Sequence, residues 1–290
     1  MQEQVTLFLQ NLTEKQYSEH TVAAYRNDLH QLLRFLQRDV TPPPTTWQEV
    51  SVETVHAYVR YLRTSHYSLS TIARKIASMR SFFHHLVQQG IISDDPTVTV
   101  ASPSVRRRAP RVLSEQEIRR LLQAPAQSDS PKALRDLALL HLLYATGMRV
   151  SEIIAVRVSD LTWEPPTLHF TDTRGRSRTI PLPTEVASAL QDYLARGRPY
   201  LLGRSEDNDT LFLSLQGRPL TRQGLWLTIK EYAKTAGLGA DVTPYAIRHS
   251  FAVHRLRAGA TLEEIQAILG HTTRAATQVY AQLTEPEGHA

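Results

Sequence analysis

The chain contains no cysteine. That absence excludes a disulfide scaffold, a Cys-ligated zinc finger and a thiol nucleophile, so any nucleophile here must be oxygen or nitrogen. Long apolar runs are missing too: nothing approaches the ~18 residues of a spanning helix. The opening segment, MQEQVTLFLQNLTEKQ, lacks the charged start and cleavage site of a secretion signal. A soluble cytoplasmic protein without a membrane partner is expected. Lysine is scarce, five residues against twenty-eight arginines, and internal repeats and low-complexity tracts are lacking. What is present is a 290-residue chain with 41% hydrophobic residues, enough for a sizeable core and, at about 150 residues per domain, for two domains.

The net charge is +5, a small excess for this length. Its placement says more than its size. Residues 1–100 hold nine basic and nine acidic side chains, and residues 112–290 hold twenty and nineteen. Between them, ASPSVRRRAPR at 101–111 carries four arginines and no acid. With two prolines and no helical period, this segment reads as an interdomain linker. A basic tether that is simply solvated is the bland alternative.

The N-terminal part reads as four helices. The second begins at Ser18 and places Val22, Tyr25, Leu29, Leu32, Leu33 and Leu36 on one face. A third starts near Ser51; the fourth starts near Ser70, carries Ile72, Ile76, Met79 and Phe83, and stops at Gly90. Arg74, Lys75 and Arg80 on the fourth helix are candidates for phosphate contact.

The C-terminal part opens with a capping box, Ser114 to Glu117. Ser130 and Pro131 suit the N-cap and first turn of a long apolar helix that Gly147 ends. The period then changes: TLHFT and RTIPL flank DTRGRS, the pattern of a β-hairpin. Helices follow around 184–195, 222–236, 244–257, 262–269 and 273–282. The fold class is mainly α with a small antiparallel sheet.

Three separated clusters are rich in chemistry: ATGMRVSEI at 145–153, TPYAIRHSFAVHRL at 243–256 and LGHTTRAATQVY at 269–280. Each has a bland account. Arg149 can pair with Glu152, Arg248 and His249 can be surface residues, His271 can cap a helix, and Tyr280 can be core.

In order, and with the hairpin between the first two, the clusters resemble the tyrosine recombinase (phage integrase) family, and its Xer-like members most. The resemblance spans nearly the whole chain. It rests on an Arg in T-G-x-R-x-x-E, a segment R-H-S-F-A, and G-H followed by Tyr nine residues after the His. It implies a helical, SAM-like core-binding domain at 1–90, a basic linker at 91–110 and a catalytic domain at 111–290, together forming a clamp on duplex DNA. A site built of inverted repeats, a homo- or hetero-tetramer on that DNA, and chemistry without metal or cofactor are further implications. Arg106, Arg107 and Arg108 in the linker, with Arg74 and Lys75, would contact DNA.

The resemblance also assigns roles, and the chemistry of phosphodiester cleavage accounts for them. Two guanidiniums, Arg149 and Arg248, would hold the non-bridging oxygens, because their forked donors match a phosphate and stay charged. His271 would add a hydrogen bond to the same phosphate. Tyr280 would attack phosphorus and form a 3′-phosphotyrosyl link that keeps the bond energy for rejoining. Glu152, one turn after Arg149, would orient groups around the site.

Three features depart from the family. The hairpin lacks the lysine that serves as general acid, and Arg174 occupies the matching place; a guanidinium with a pKa above ~12 is a poor acid. Tyr245 stands where the H-x-x-R pattern has histidine. The tail after Tyr280, AQLTEPEGHA, is short for an exchange helix. These departures leave open a weakened or catalytically silent relative that binds specific DNA. The segment LEEIQAILGHTTRAATQVYAQL at 262–283 also reads as a helix-turn-helix module, and a relaxing topoisomerase shares the chemistry.

Overall fold

The computed structural model describes residues 1–104, 111–172, 175–203, 209–271, 273–281 and 283. It consists of two compact units, 1–108 and 109–290. None of its helices is long and apolar enough to cross a membrane, among the described residues.

The first unit is built from α1 (Gln2–Glu14), α2 (Glu19–Arg38), α3 (Val52–Thr64) and α4 (Leu69–Gln88). Three of these helices start by one device. The hydroxyls of Ser18, Ser51 and Ser68 accept from the backbone N–H of Thr21, Thr54 and Thr71, each satisfying a donor that the first turn leaves free. The fourth helix begins at Leu69, near Ser70 as expected, because Ser68 is the residue whose hydroxyl reaches the N–H of Thr71. The apolar faces close on a core that includes Phe8, Leu29, Leu36, Tyr58, Phe82 and Phe83. Ile92 and Val100 are buried in the same core, and Arg80 on α4 donates to the Val100 carbonyl.

The second unit opens with α5 (Glu115–Gln123) and α6 (Pro131–Thr146). The buried residues of α6 go all round the helix, Leu134, Ala138, Leu139, Leu140, Leu142 and Leu143 among them, so it forms the axis of the larger core. Gly147 ends it in the left-handed region at φ +57. A single turn, α7 (Val150–Ile153), leads to an antiparallel sheet of β1 (Leu161–Trp163), β2 (Pro166–Thr171) and β3 (Ser177–Pro181), in that order. Leu168 pairs with Leu161 on one side and Ile180 on the other, and these three face the interior. The hairpin thus has the expected two strands and a third, β1, too short to show a two-residue period.

After the sheet, α8 (Thr184–Asp192) runs through a π turn into α9 (Arg198–Leu202). Among the described residues there follow α10 (Arg222–Thr235), α11 (Pro244–Arg257), α12 (Leu262–Leu269) and α13 (Arg274–Ala281). Phe251, Ala252, Val253, Ile265, Leu269 and Tyr280 join the last three helices in a second, smaller core. That packing carries the third cluster back against the first.

Candidate active site

Arg248 lies on α11, three and four residues before Phe251 and Ala252, and therefore shares their inward face. Its side chain is 5% exposed. A buried guanidinium must find acceptors, and this one donates to the Gly147 carbonyl, to the Leu269 carbonyl at 2.9 Å, and to Nε2 of His271 at 3.0 Å. The ends of α6 and α12 are thus tied to α11 by one side chain. Burial, and after it the positive charge of Arg149, pull the Arg248 pKa down to about 10. It remains a cation at neutral pH.

Arg149 is placed by the left-handed turn at Gly147 and opens α7. Its N–H donates to Oε2 of Glu152 at 2.8 Å, and its Nη1 to Oε1 at 3.0 Å. The second cationic partner of Glu152 is Arg178 on β3, whose Nη2 donates to Oε2 at 2.9 Å. Burial works to raise the Glu152 pKa, yet the Arg149 N–H and the two guanidiniums outweigh it and hold the carboxyl below its ordinary value. Glu152 thus faces two arginines and fixes both, while the Arg149 side chain stays 41% exposed and free to reach a ligand.

His271 follows Gly270, which ends α12 in the left-handed region. Since a guanidinium only donates, Nε2 is an acceptor and the ring proton sits on Nδ1, which donates to Thr277 Oγ1 at 2.8 Å. Burial first, then Arg248 and Arg149, push the His271 pKa down to about 4. The imidazole is neutral at physiological pH.

Tyr280 on α13 is 3% exposed. Its ring stacks on His271 with centroids 6.1 Å apart and planes at 15°, and it meets the His249 ring at 5.4 Å. Burial raises the phenol pKa, and the charge of Arg248 opposes that rise. Tyr245, at the start of α11, is 71% exposed. With Arg149, Arg222 and Arg248 it lines a concavity of about 270 Å³.

The structure therefore brings Arg149, Glu152, Arg248, His271 and Tyr280 together, with Tyr245 at the rim. Arg174, Arg106, Arg107 and Arg108 lie outside the described residues. In the first unit, Lys75 is buried: its ammonium donates to Asp28 at 3.0 Å and to Gln31 at 2.6 Å, so it does not face solvent. Arg74 also pairs with Asp28 but keeps a half-exposed side chain.

Four contributors escaped sequence reading. Arg178 carried a signal, because strand alternation places it on the same face as buried Ile180. Thr277, three residues before Tyr280, shares its helical face. Arg222 and the Gly147 carbonyl had no local signal.

The arrangement offers two guanidiniums at one opening, with a neutral imidazole and a phenol packed beside Arg248, a set matched to an anion with several acceptor oxygens. Comparison with known proteins gives consistent matches. The model of the phage integrase family fits residues 111–287, and that of the phage integrase N-terminal SAM-like domain fits residues 5–90. Tyrosine recombinase XerC of Roseiflexus sp. (strain RS-1) is 41% identical over 285 residues, covering 98% of this chain and 90% of that protein. Tyrosine recombinase XerD of Listeria innocua is 36% identical, covering 94% and 91%. Among solved structures, the XerA recombinase is similar over 99% of this chain and 94% of its own, at 26% identity and a TM-score of 0.54. The XerH recombinase bound to palindromic difH DNA after cleavage covers 91% of this chain and 76% of its own, with 19% identity and a TM-score of 0.76.

Proposed function

This chain belongs to the phage integrase family of tyrosine recombinases, and on that footing we propose that it cuts and rejoins duplex DNA at a defined site with Tyr280 as its nucleophile. One observation carries the assignment of residues: buried Arg248 is bonded at once to the end of α6, the end of α12 and His271, beside Tyr280. A core has no use for a buried cation held against a second arginine, since the two repel. A phosphate between them removes the repulsion.

In this reading a scissile phosphate enters the opening and accepts from Arg149 and Arg248 through its non-bridging oxygens. Tyr280 Oη bonds to phosphorus, the bond to the 5′-oxygen breaks, and a 3′-phosphotyrosyl ester forms. The ester keeps the bond energy, so attack by the 5′-hydroxyl of another strand restores the DNA and frees Tyr280. Once Arg248 turns from Nε2 to the ligand, His271 donates to the phosphate from Nε2, with the ring proton moved there from Nδ1 and the Thr277 hydroxyl donating to Nδ1 in its place. Glu152 holds Arg149 and Arg178 in register.

The domain reading, 1–90 as a core-binding domain and 111–290 as the catalytic domain, is part of the same proposal, as are the basic linker, a tetramer on a site with inverted repeats, and a cytoplasmic location. Half-exposed Arg74 is better suited to a phosphate than buried Lys75.

The test starts from duplexes selected from a random library for tight binding. On a nicked suicide form of the selected site, the wild-type protein is expected to give a covalent adduct and Tyr280→Phe none. Tight binding with no adduct from the wild type would overturn the enzymatic reading and favour a DNA-binding module.

A further inference from the structure

Cleavage requires that Tyr280 lose its proton, and the family resemblance leaves that step without an obvious acceptor, since Tyr245 stands where a histidine is expected. A phenol with an ordinary pKa near ~10 keeps its own proton at neutral pH and is no base there. The buried phenol of Tyr280 is 3% exposed, which limits direct loss of its proton to bulk water. A protein group must take it.

The described neighbours of Tyr280 narrow the choice. Arg149 and Arg248 are cations without a lone pair. Glu152 is saturated by Arg149 and Arg178. Both nitrogens of His271 are committed, Nε2 to Arg248 and Nδ1 to Thr277. His249 differs. It sits one helical turn after Tyr245, its ring is 6.3 Å from that of Tyr245 and 5.4 Å from that of Tyr280, and its Nδ1 is buried with no hydrogen-bond partner among the described residues.

Resting on the assignment of Tyr280 as nucleophile, we propose that His249 is the base that receives the Tyr280 proton, directly or through one water. Burial, and then the charge of Arg248, lower its pKa from the ordinary 6.5, so the ring is neutral and basic sites are available at physiological pH. The groups facing it are Arg248 and Tyr245 on its own helix, Tyr280 from α13, and His271 from the α12–α13 turn. The imidazolium formed during the reaction is repelled by Arg248 and attracted by the phosphate.

The step balances as follows. As Oη bonds to phosphorus, its proton passes to a ring nitrogen of His249. The electron pair of the breaking P–O bond leaves with the 5′-oxygen, which takes a proton from water. On rejoining, the hydroxide so formed takes the proton of the attacking 5′-hydroxyl, and His249 returns its proton to Tyr280.

Single-turnover cleavage of the suicide substrate, followed across the range where imidazoles titrate, tests this. Wild type should show an acid limb, with the rate rising as pH rises, because the base works unprotonated. His249→Gln should lower the rate about 100-fold, leave DNA affinity in place and remove the limb. Tyr245→Phe should leave the limb where it is. Replacing Tyr280 with a fluorinated tyrosine of lower pKa should restore part of the rate in His249→Gln. In the unmutated background it should make the limb shallower, a measurement that stands if His249→Gln does not fold. A wild-type rate and limb in His249→Gln, or an unchanged limb with the fluorinated residue, overturns the role of His249 and leaves Tyr280 as the nucleophile that cuts and rejoins DNA. No adduct from the wild type on bound DNA overturns both.

Discussion

Arg248 and His271 share a hydrogen bond of 3.0 Å in which the guanidinium donates and Nε2 accepts. This contact sets the tautomer of the imidazole, directs its proton to Thr277, and pairs a buried cation with the most basic atom of a neutral ring. Under the proposed function a bound phosphate would compete for the same Nη2, and the bond would then belong to the DNA-free protein.

Thr277 is expected to act as a positioning residue through that tautomer. Thr277→Val keeps the shape but leaves the buried Nδ1 proton without an acceptor, a loss of about 1–3 kcal/mol. Cleavage of the suicide substrate should fall about 5- to 150-fold, by the same free energy, with DNA affinity little changed, and Thr277→Ser should restore it. Equal rates for the Val and wild-type proteins would remove Thr277 from the mechanism.

The titration of His271 is a direct measure of its surroundings. In the DNA-free protein, ring resonances followed by NMR should titrate at about 4. Arg248→Gln should return the midpoint part of the way to the ordinary 6.5, because burial, the larger cause, stays. The sign for stability follows. A folded pKa below the unfolded one means stability fully present above 6.5 and lost as pH falls toward 4. His271→Gln should therefore lose less stability than wild type over that interval.

Glu152 offers the carboxylate counterpart. Its folded pKa lies below the ordinary 4.5, so its contribution is present above that value and fades as pH falls through the folded pKa. Glu152→Gln should be less stable than wild type at neutral pH by about 1–3 kcal/mol, since two charged donors lose a charged acceptor. Denaturant melts repeated at decreasing pH should show the two proteins converging below 4.5. A constant difference would assign the loss to shape rather than charge.

Gly147 is under two constraints at once. Its φ is +57, and a Cβ there would stand 2.5 Å from Phe251 Cδ1 and 2.8 Å from Leu269 Cδ2. Gly147→Ala should cost about 1–3 kcal/mol by overpacking in a thermal or denaturant melt. It should also reduce cleavage in excess of any loss of DNA binding, because the Gly147 carbonyl is one of the anchors of Arg248. Wild-type stability in Gly147→Ala would show that the turn relaxes freely.

Local rules carried most of the helices. Ser18, Ser51 and Ser114 announced their helices because a hydroxyl or carboxylate within three residues satisfies free N–H groups, which is chemistry internal to the segment. Lys75 shows where such rules stop. A lysine on an amphipathic helix reads as solvent-facing, yet Asp28 and Gln31, over forty residues earlier, draw it inside. Strand β1 was lost for a different reason, since three residues carry no period.

The sequence by itself determined the family and the order of the clusters, and it singled out Arg149, Glu152, Arg248, His271 and Tyr280 as candidates, because residue type and spacing limit what chemistry each segment can offer. Tertiary structure alone decided how those groups are wired. Arg248 is turned inward by its neighbours Phe251 and Ala252, but its acceptors lie at Gly147, Leu269 and His271. Arg178 meets Glu152 only after the sheet has folded onto α7. Whether a histidine is neutral, which nitrogen holds its proton and whether a tyrosine is screened from water depend on burial and on charges from distant segments, and a linear pattern contains neither.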